Sequence, residues 1–130
     1  MTILVGYVPT PQGEAALTAA IVEAKAHDDH ILVINMSRDD RLVDALRADS
    51  SDLTRVDREL AESGVPHEVR RIEHGTDPAE QILDLIEAEQ VRLLVIGLRH
   101  RTAVGKLLLG STAQRLLLDA SCPVLAVKAR

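Results

Sequence analysis

The chain has 130 residues, with 20 acidic against 15 basic side chains and a formal net charge of -5, which predicts one globular domain spanning residues 1–130. It has no Phe or Trp and one Tyr, so it lacks the aromatic platforms that stack unpaired bases, and we expect no nucleic-acid binding. One Cys excludes an internal disulfide. No apolar stretch is long enough to cross a bilayer and the start lacks a basic leader, which favours a cytoplasmic protein.

The first half of the chain alternates strand and helix. Ile3–Val8 and Ile31–Met36 are apolar, β-branched runs that predict strands. Between them, apolar side chains at helical spacing predict a helix over Glu14–His27. A second helix carries Leu53, Val56 and Leu60 and is closed by a glycine at position 64. The pattern over residues 37–50 is ambiguous.

The second half continues the alternation. Val65–Ile72 alternates apolar and polar residues like a strand with one face less buried. Asp77 followed by Pro78 predicts the start of a helix. Val91–Ile96 reads as a fully buried strand, and the chain ends with a helix and a last strand. These last two elements are Ser111–Ala120 and Pro123–Val127.

The whole pattern has five strands and four helices. Strands that are apolar on both faces and alternate with helices belong in a parallel sheet covered on both sides. With right-handed crossovers, this predicts a doubly wound, Rossmann-like α/β fold with strand order 3-2-1-4-5.

The loop "GLRHRTAVGKLLLGST", residues 97–112, collects positive charge in an acidic protein. Gly97 leaves a strand at the edge where α/β proteins bind ligands. Gly110, Ser111 and Thr112 open a helix, whose free N–H groups favour an anion such as phosphate. Cationic or potentially cationic side chains add attraction, namely Arg99, His100, Arg101 and Lys106. The alternative is that Gly110 serves packing, Ser111 caps the helix and the cations are solvated.

Taken together, this loop, the following "STAQRLLLDASCPVLAVK" and the opening "ILVGY" resemble the universal stress protein family over the whole chain. Its nucleotide-binding members carry a glycine, two residues, a glycine, nine residues, then glycine with Ser or Thr. Gly97, Gly110 and Ser111 match that spacing, and His100 replaces the second glycine.

The resemblance also implies where an adenine nucleotide would lie. Adenine would rest against Met36, and the phosphates would meet Gly97, Gly110, Ser111 and Thr112. Relatives place an aspartate near the ribose where this chain has Val8.

The last strand is an apolar sheet edge, and the resemblance implies a homodimer that pairs through it. The residues concerned are Val124, Leu125, Ala126 and Val127. The alternative is a monomer whose edge is protected by Lys128 and Arg130.

Other constellations carry no predicted chemistry. The five histidines lack paired metal-ligand spacing, and the acidic pairs 28–29 and 39–40 are expected to be solvated. Glu14 and Asp77 are interpreted as first-turn residues that complement helix dipoles. No G-x-S-x-G occurs, and Cys122 precedes a buried strand, so we predict no catalytic residue and no metal site.

Three functions remain open at this stage. The first is a stress-response regulator that binds ATP, with Mg²⁺, and turns it over slowly or not at all. The second is a homodimeric interaction module in which Val8 and His100 mark the loss of nucleotide. The third is an enzyme acting on a small phosphorylated metabolite at the basic loop, for which no general acid or base is evident.

Overall fold

A computed structural model describes residues 1–36, 50–72, 75–98 and 110–129. Over these residues it contains five strands and four helices. The strands are β1 (Thr2–Tyr7), β2 (His30–Asn35), β3 (His67–Arg71), β4 (Val91–Leu98) and β5 (Val124–Lys128). The helices are α1 (Pro11–His27), α2 (Ser50–Ser63), α3 (Pro78–Ala88) and α4 (Ser111–Asp119). Every predicted element is present, with ends displaced by a few residues.

The five strands form one parallel sheet in the order β3-β2-β1-β4-β5, as the sequence predicts. The central strand β1 is buried along its whole length, and β3 and β5 form the two edges. Parallel strands turn all their carboxyl ends to one edge of the sheet, which is where the helices begin.

Two apolar layers cover the faces of the sheet. Alternate β1 residues such as Ile3 and Val5 pack with α1 and α2, and Leu4 packs on the opposite face with α3 and α4. Burial of these aliphatic side chains stabilises the fold without aromatic stacking. Within the described ranges, no helix combines the length and apolarity needed to cross a membrane.

Local signals set several element ends. Gly64 has a φ of +79° just after α2, a conformation that glycine adopts without steric cost. Asp77 caps α3, because its side chain accepts the N–H of Ala79 at 3.3 Å, and Pro78 is the first helical residue. Both helix ends were predicted from sequence.

Candidate functional site

The structure gathers most of the predicted nucleotide site at the carboxyl edge of the sheet. Val8 follows β1, Met36 follows β2, and Gly97 is the penultimate residue of β4. Gly110 is the N-cap of α4, which Ser111 and Thr112 then open. Arg99 and His100, with Arg101 and Lys106, lie outside the described residues, so these four predictions remain untested.

The first turn of α1 joins Val8 to Gly97. A Cβ on Gly13 would lie 1.8 Å from the carbonyl oxygen of Val8, and a Cβ on Gly97 would lie 2.2 Å from that of Gln12. Side chains at positions 13 and 97 are therefore excluded by backbone contact. Thr10 caps this turn by accepting the N–H of Gly13 at 3.1 Å. Gly97 thus has a packing role in addition to the phosphate role that the resemblance implies.

Met36 packs over the upper end of β1. A Cβ on Gly6 would lie 2.8 Å from its sulfur and 3.3 Å from a methyl carbon of Ile96. The missing side chain of Gly6 therefore makes room for the thioether, which is half-buried. A polarizable thioether held in this way can contact a flat ring from its open side.

The start of α4 differs from that of α1 and α3. Gly110 is exposed, and among the described residues no atom lies within 4 Å of a Cβ placed there and no side chain caps the helix. The interpretation that Gly110 serves helix packing and that Ser111 caps the helix is therefore wrong. The first N–H groups of α4, next to the hydroxyls of Ser111 and Thr112, can donate to an anion.

Arg115 fixes α4 beside α3. Its guanidinium donates to Asp77 at 3.0 Å and also to Glu80, and lies 3.5 Å from Asp119. Asp77 thus has two tasks, since one oxygen caps α3 and the other pairs with Arg115. These contacts link α4 to the first turn of α3, and they commit the Arg115 charge to carboxylates.

One polar cluster at this edge was missed from the sequence. The buried Tyr7 hydroxyl donates to Glu14 and accepts from Arg55 at 3.0 Å. Arg55 also donates to both Glu14 carboxylate oxygens, at 2.6 and 3.2 Å. Glu14 lies in the first turn of α1 as predicted, but its partners are these two side chains. The sequence signal that could have indicated this cluster was Tyr7, the only aromatic residue of the chain. A buried Tyr hydroxyl usually has a hydrogen-bond partner.

The cluster shifts the pKa of each of its two acids. Burial raises the pKa of Tyr7, and the hydrogen bond to Glu14 and its negative charge raise it further. Burial would also raise the pKa of Glu14, but the hydrogen bonds from Arg55 and Tyr7 outweigh it and lower that pKa. At neutral pH the cluster therefore holds a protonated phenol beside an ionised carboxylate.

A second ionic cluster lies at the opposite, amino edge. Asp29 is only 4 % exposed and accepts from two Arg92 nitrogens at 2.6 and 2.8 Å. The expectation that this acidic pair is solvated is wrong for Asp29 and correct for Asp28, which is exposed at the end of α1. Residues 39 and 40 lie outside the described residues. Within the described ranges, no group of three or more His, Cys, Asp or Glu side chains could hold a metal ion.

Comparisons with known proteins agree with this architecture. The model of the universal stress protein family matches residues 1–128. A universal stress protein of Mycolicibacterium smegmatis is 50 % identical over 126 residues, covering 97 % of this chain and 96 % of the relative.

Two solved structures share the fold. One is a universal stress protein in complex with cAMP, with a TM-score of 0.72 and 21 % identity over 100 % of this chain and 98 % of the other. The second is the Archaeoglobus fulgidus universal stress protein in complex with dAMP, with a TM-score of 0.65 and 20 % identity over 98 % and 96 % of the two chains. The family match and the identity to the M. smegmatis relative together show that this chain belongs to the universal stress protein family.

Proposed function

We propose that this chain binds an adenine nucleotide, ATP in the first instance, at the carboxyl edge of its sheet. It then acts as a cytoplasmic stress-response regulator that signals by occupancy. The observation that carries the proposal is the open, uncapped start of α4 at Gly110, Ser111 and Thr112. Relatives of the same fold solved with dAMP and with cAMP support the choice of an adenine nucleotide.

The proposed contacts divide along the edge. The phosphates lie against Gly110, Ser111 and Thr112, where backbone N–H groups and hydroxyls donate. The base lies against the half-buried thioether of Met36. Gly97 contributes its backbone, and Arg99 and His100 remain proposed contacts from the loop. Mg²⁺ would arrive bound to the phosphates, as it commonly does in nucleotide sites.

We expect hydrolysis to be slow or absent. The described site residues carry only apolar groups, backbone and two hydroxyls, and none supplies a carboxylate, imidazole or amine for proton transfer. Nucleotide occupancy, rather than turnover, is then the quantity that a partner senses.

We also propose a homodimer formed through β5. The two sheet edges differ in their share of charge: β3 carries Glu68, Arg70 and Arg71, whereas β5 has four apolar residues and a charge only at its last position, Lys128. The four apolar residues are Val124, Leu125, Ala126 and Val127. Charged side chains protect an edge strand from pairing, and apolar ones do not. Leu125 is 38 % exposed, so a second copy of the chain would bury it.

The second candidate function is a homodimeric interaction module without nucleotide. It is favoured by Val8, whose apolar, half-buried side chain directly follows β1, where relatives are expected to hold the ribose with a carboxylate. Under this alternative, Val8→Asp and His100→Gly create or tighten ATP binding that the wild-type chain lacks.

Calorimetric titration with ATP, ADP and AMP, with and without Mg²⁺, tests the proposal directly. Any nucleotide retained during purification is first released by denaturation and identified by chromatography. We expect micromolar or tighter ATP binding that Ser111→Ala weakens. No binding heat and no retained nucleotide would overturn the proposal in favour of the nucleotide-free module.

A further inference from the structure

The first turn of α1 supports two residues of the candidate site at once. Gly13 packs on the carbonyl oxygen of Val8, and the carbonyl oxygen of Gln12 packs on Gly97. Neither contact has room for a Cβ, so a shift of this turn must move Val8 and Gly97 or open a gap against them. The position of the turn therefore sets the shape of the carboxyl edge between β1 and β4.

Glu14, the residue after Gly13, connects this turn of α1 to a different helix. Both its carboxylate oxygens accept from Arg55, at 2.6 and 3.2 Å, and Arg55 comes from α2, 41 residues further along the chain. The planar guanidinium fork fixes the carboxylate in direction as well as distance. The Tyr7 hydroxyl, bonded to both groups, ties the same point to the end of β1.

Among the described residues, the hydrogen bonds and ion pairs of Arg55 go to no proposed site residue. Its described contacts are Glu14, Tyr7 and, at 3.8 Å, Glu59. Tyr7 packs in the layer covered by α1 and α2, whereas Met36 packs in the opposite layer. Within the described residues, Arg55 therefore reaches the site through Glu14 and the α1 turn, and through Tyr7 at the end of β1.

We propose that Arg55 is a positioning residue for nucleotide binding, because through Glu14 it holds the α1 turn that supports Val8 and Gly97. The inference rests on the proposed function for its ligand and on the contacts above for its geometry. Without Arg55 the α1 turn is free to move. Nucleotide binding must then also order the carboxyl edge of the sheet around Val8 and Gly97, and this entropic cost lowers the affinity.

The test compares four single variants and one double variant by amide hydrogen exchange and by ATP calorimetry. Arg55→Met removes both hydrogen bonds to Glu14. Arg55→Lys keeps the positive charge but cannot donate to both carboxylate oxygens in the planar geometry of a guanidinium. Arg58→Met changes an exposed arginine of the same helix. Arg92→Met breaks the buried pair with Asp29 at the opposite edge, which makes it a control for general destabilisation.

We expect Arg55→Met to speed amide exchange at Gly13 and Glu14 and to raise the ATP dissociation constant about fivefold to tenfold. Arg55→Lys should recover only part of both effects. Neither Arg58→Met nor Arg92→Met should change the dissociation constant by as much as twofold, although Arg92→Met lowers global stability. Glu14→Gln added to Arg55→Met should weaken binding little further, because both act through one contact.

The two readouts separate the possible failures. Unchanged exchange at Gly13 and Glu14 in Arg55→Met overturns the inference whether or not ATP binds. An equal loss of affinity in Arg92→Met also overturns it, because the effect would then be general destabilisation. If wild-type protein binds no ATP, the proposed function fails together with the ligand part of this inference, and exchange still decides whether Arg55 holds the turn.

Discussion

The carbonyl oxygen of Gln12 faces Gly97 so closely that a Cβ at position 97 would lie 2.2 Å from it. This contact brings the start of α1 onto β4, and it exists only because β4 has no side chain there. A glycine that the family resemblance assigns to phosphate binding is therefore also required by the packing of the fold. The two roles can be separated by measuring stability and binding in the same variants.

Gly97→Ala should destabilise the protein even without ligand. The added methyl group forces the α1 turn away from β4, and overpacking of this kind costs about 1–3 kcal/mol. Urea unfolding followed by circular dichroism measures the loss. A change within about 0.5 kcal/mol of wild type, the range of ordinary surface substitutions, would show that the turn adjusts freely and that packing does not require the glycine.

Gly110→Ser should have the opposite effect on stability and should weaken nucleotide binding. A Cβ at position 110 meets no atom of the described residues within 4 Å, and the φ of -65° suits any residue. A serine N-cap can accept an N–H of α4 and stabilise the helix by a few tenths of a kcal/mol. The same bond consumes a donor that the phosphate would use. Tighter ATP binding in this variant would contradict the proposed phosphate position.

Sequence patterns predicted the fold because its determinants are local. Apolar runs predicted the strands, and Gly64 and the Asp77–Pro78 pair predicted helix ends that the structure confirms. The carboxyl-edge position of the candidate site followed from topology alone, since parallel strands place their ends together.

The polar clusters could not be predicted because their partners are distant in sequence. Glu14 meets Arg55 across 41 residues, and Asp29 meets Arg92 across 63. Glu14 lies in the first turn of α1 and Asp29 follows its last turn, which are ordinary positions for an acidic residue. Only the assembled fold shows which arginine pairs with each carboxylate. The packing role of Gly97 is hidden for the same reason, because it depends on Gln12 arriving from α1.

The Asp29 ion pair should make stability fall in acid. Burial would raise the pKa of Asp29, but the hydrogen bonds from Arg92 and the N-terminal ammonium outweigh it and lower the pKa in the folded state. A lowered folded pKa stabilises the fold above the ordinary Asp value of about 3.9, and that contribution is lost as pH falls through the folded pKa. Asp29→Asn removes the stabilising contribution of the ionised carboxylate at every pH.

Urea unfolding at several pH values tests this expectation. The gap in unfolding free energy between wild type and Asp29→Asn should be about 1.5–3 kcal/mol at neutral pH, the range for hydrogen bonds to charged groups, because Arg92 keeps Glu23 as a partner. It should narrow steadily below about pH 4. Asp28→Asn is the matched control, because Asp28 is exposed and its φ of 59° suits asparagine. A gap that stays constant into acid would contradict the ion-pair account.

Tyr7 allows an alkaline titration of one identified group, because the chain has no other Tyr and no Trp. Burial and the hydrogen bond to Glu14 raise its pKa, so the folded protein should show no tyrosinate absorbance at the ordinary value of about 10. The protonated phenol stabilises the fold below that pH, and the contribution is lost as pH rises through the raised folded pKa.

The neighbours of Tyr7 should move its titration in opposite directions. Glu14→Gln should lower the midpoint by removing a negative charge, whereas Arg55→Met should raise it by removing a positive one. Protein unfolded in urea should titrate near pH 10 in every variant. A folded wild-type midpoint at that same value would contradict the Tyr7–Glu14 contact.

Leu125→Glu should dissociate the proposed β5 dimer. A carboxylate at this 38 % exposed position would face its symmetry-related copy across the two-fold axis and would lose hydration on pairing. Because the change enters the interface twice, we expect the dimer dissociation constant to rise at least about hundredfold. Sedimentation equilibrium measures it.

Val22→Glu is the control, because Val22 is an apolar residue that is 63 % exposed on α1 and does not belong to β5. It should leave the dimer intact. Wild-type protein that sediments as a monomer would contradict the dimer outright, and a Leu125→Glu dimer of unchanged strength would move the interface away from β5. β5 pairs with β4 from Leu94 to Leu98, and this stretch includes Gly97. ATP titration of the monomeric Leu125→Glu variant would therefore also show whether ATP binding requires the dimer.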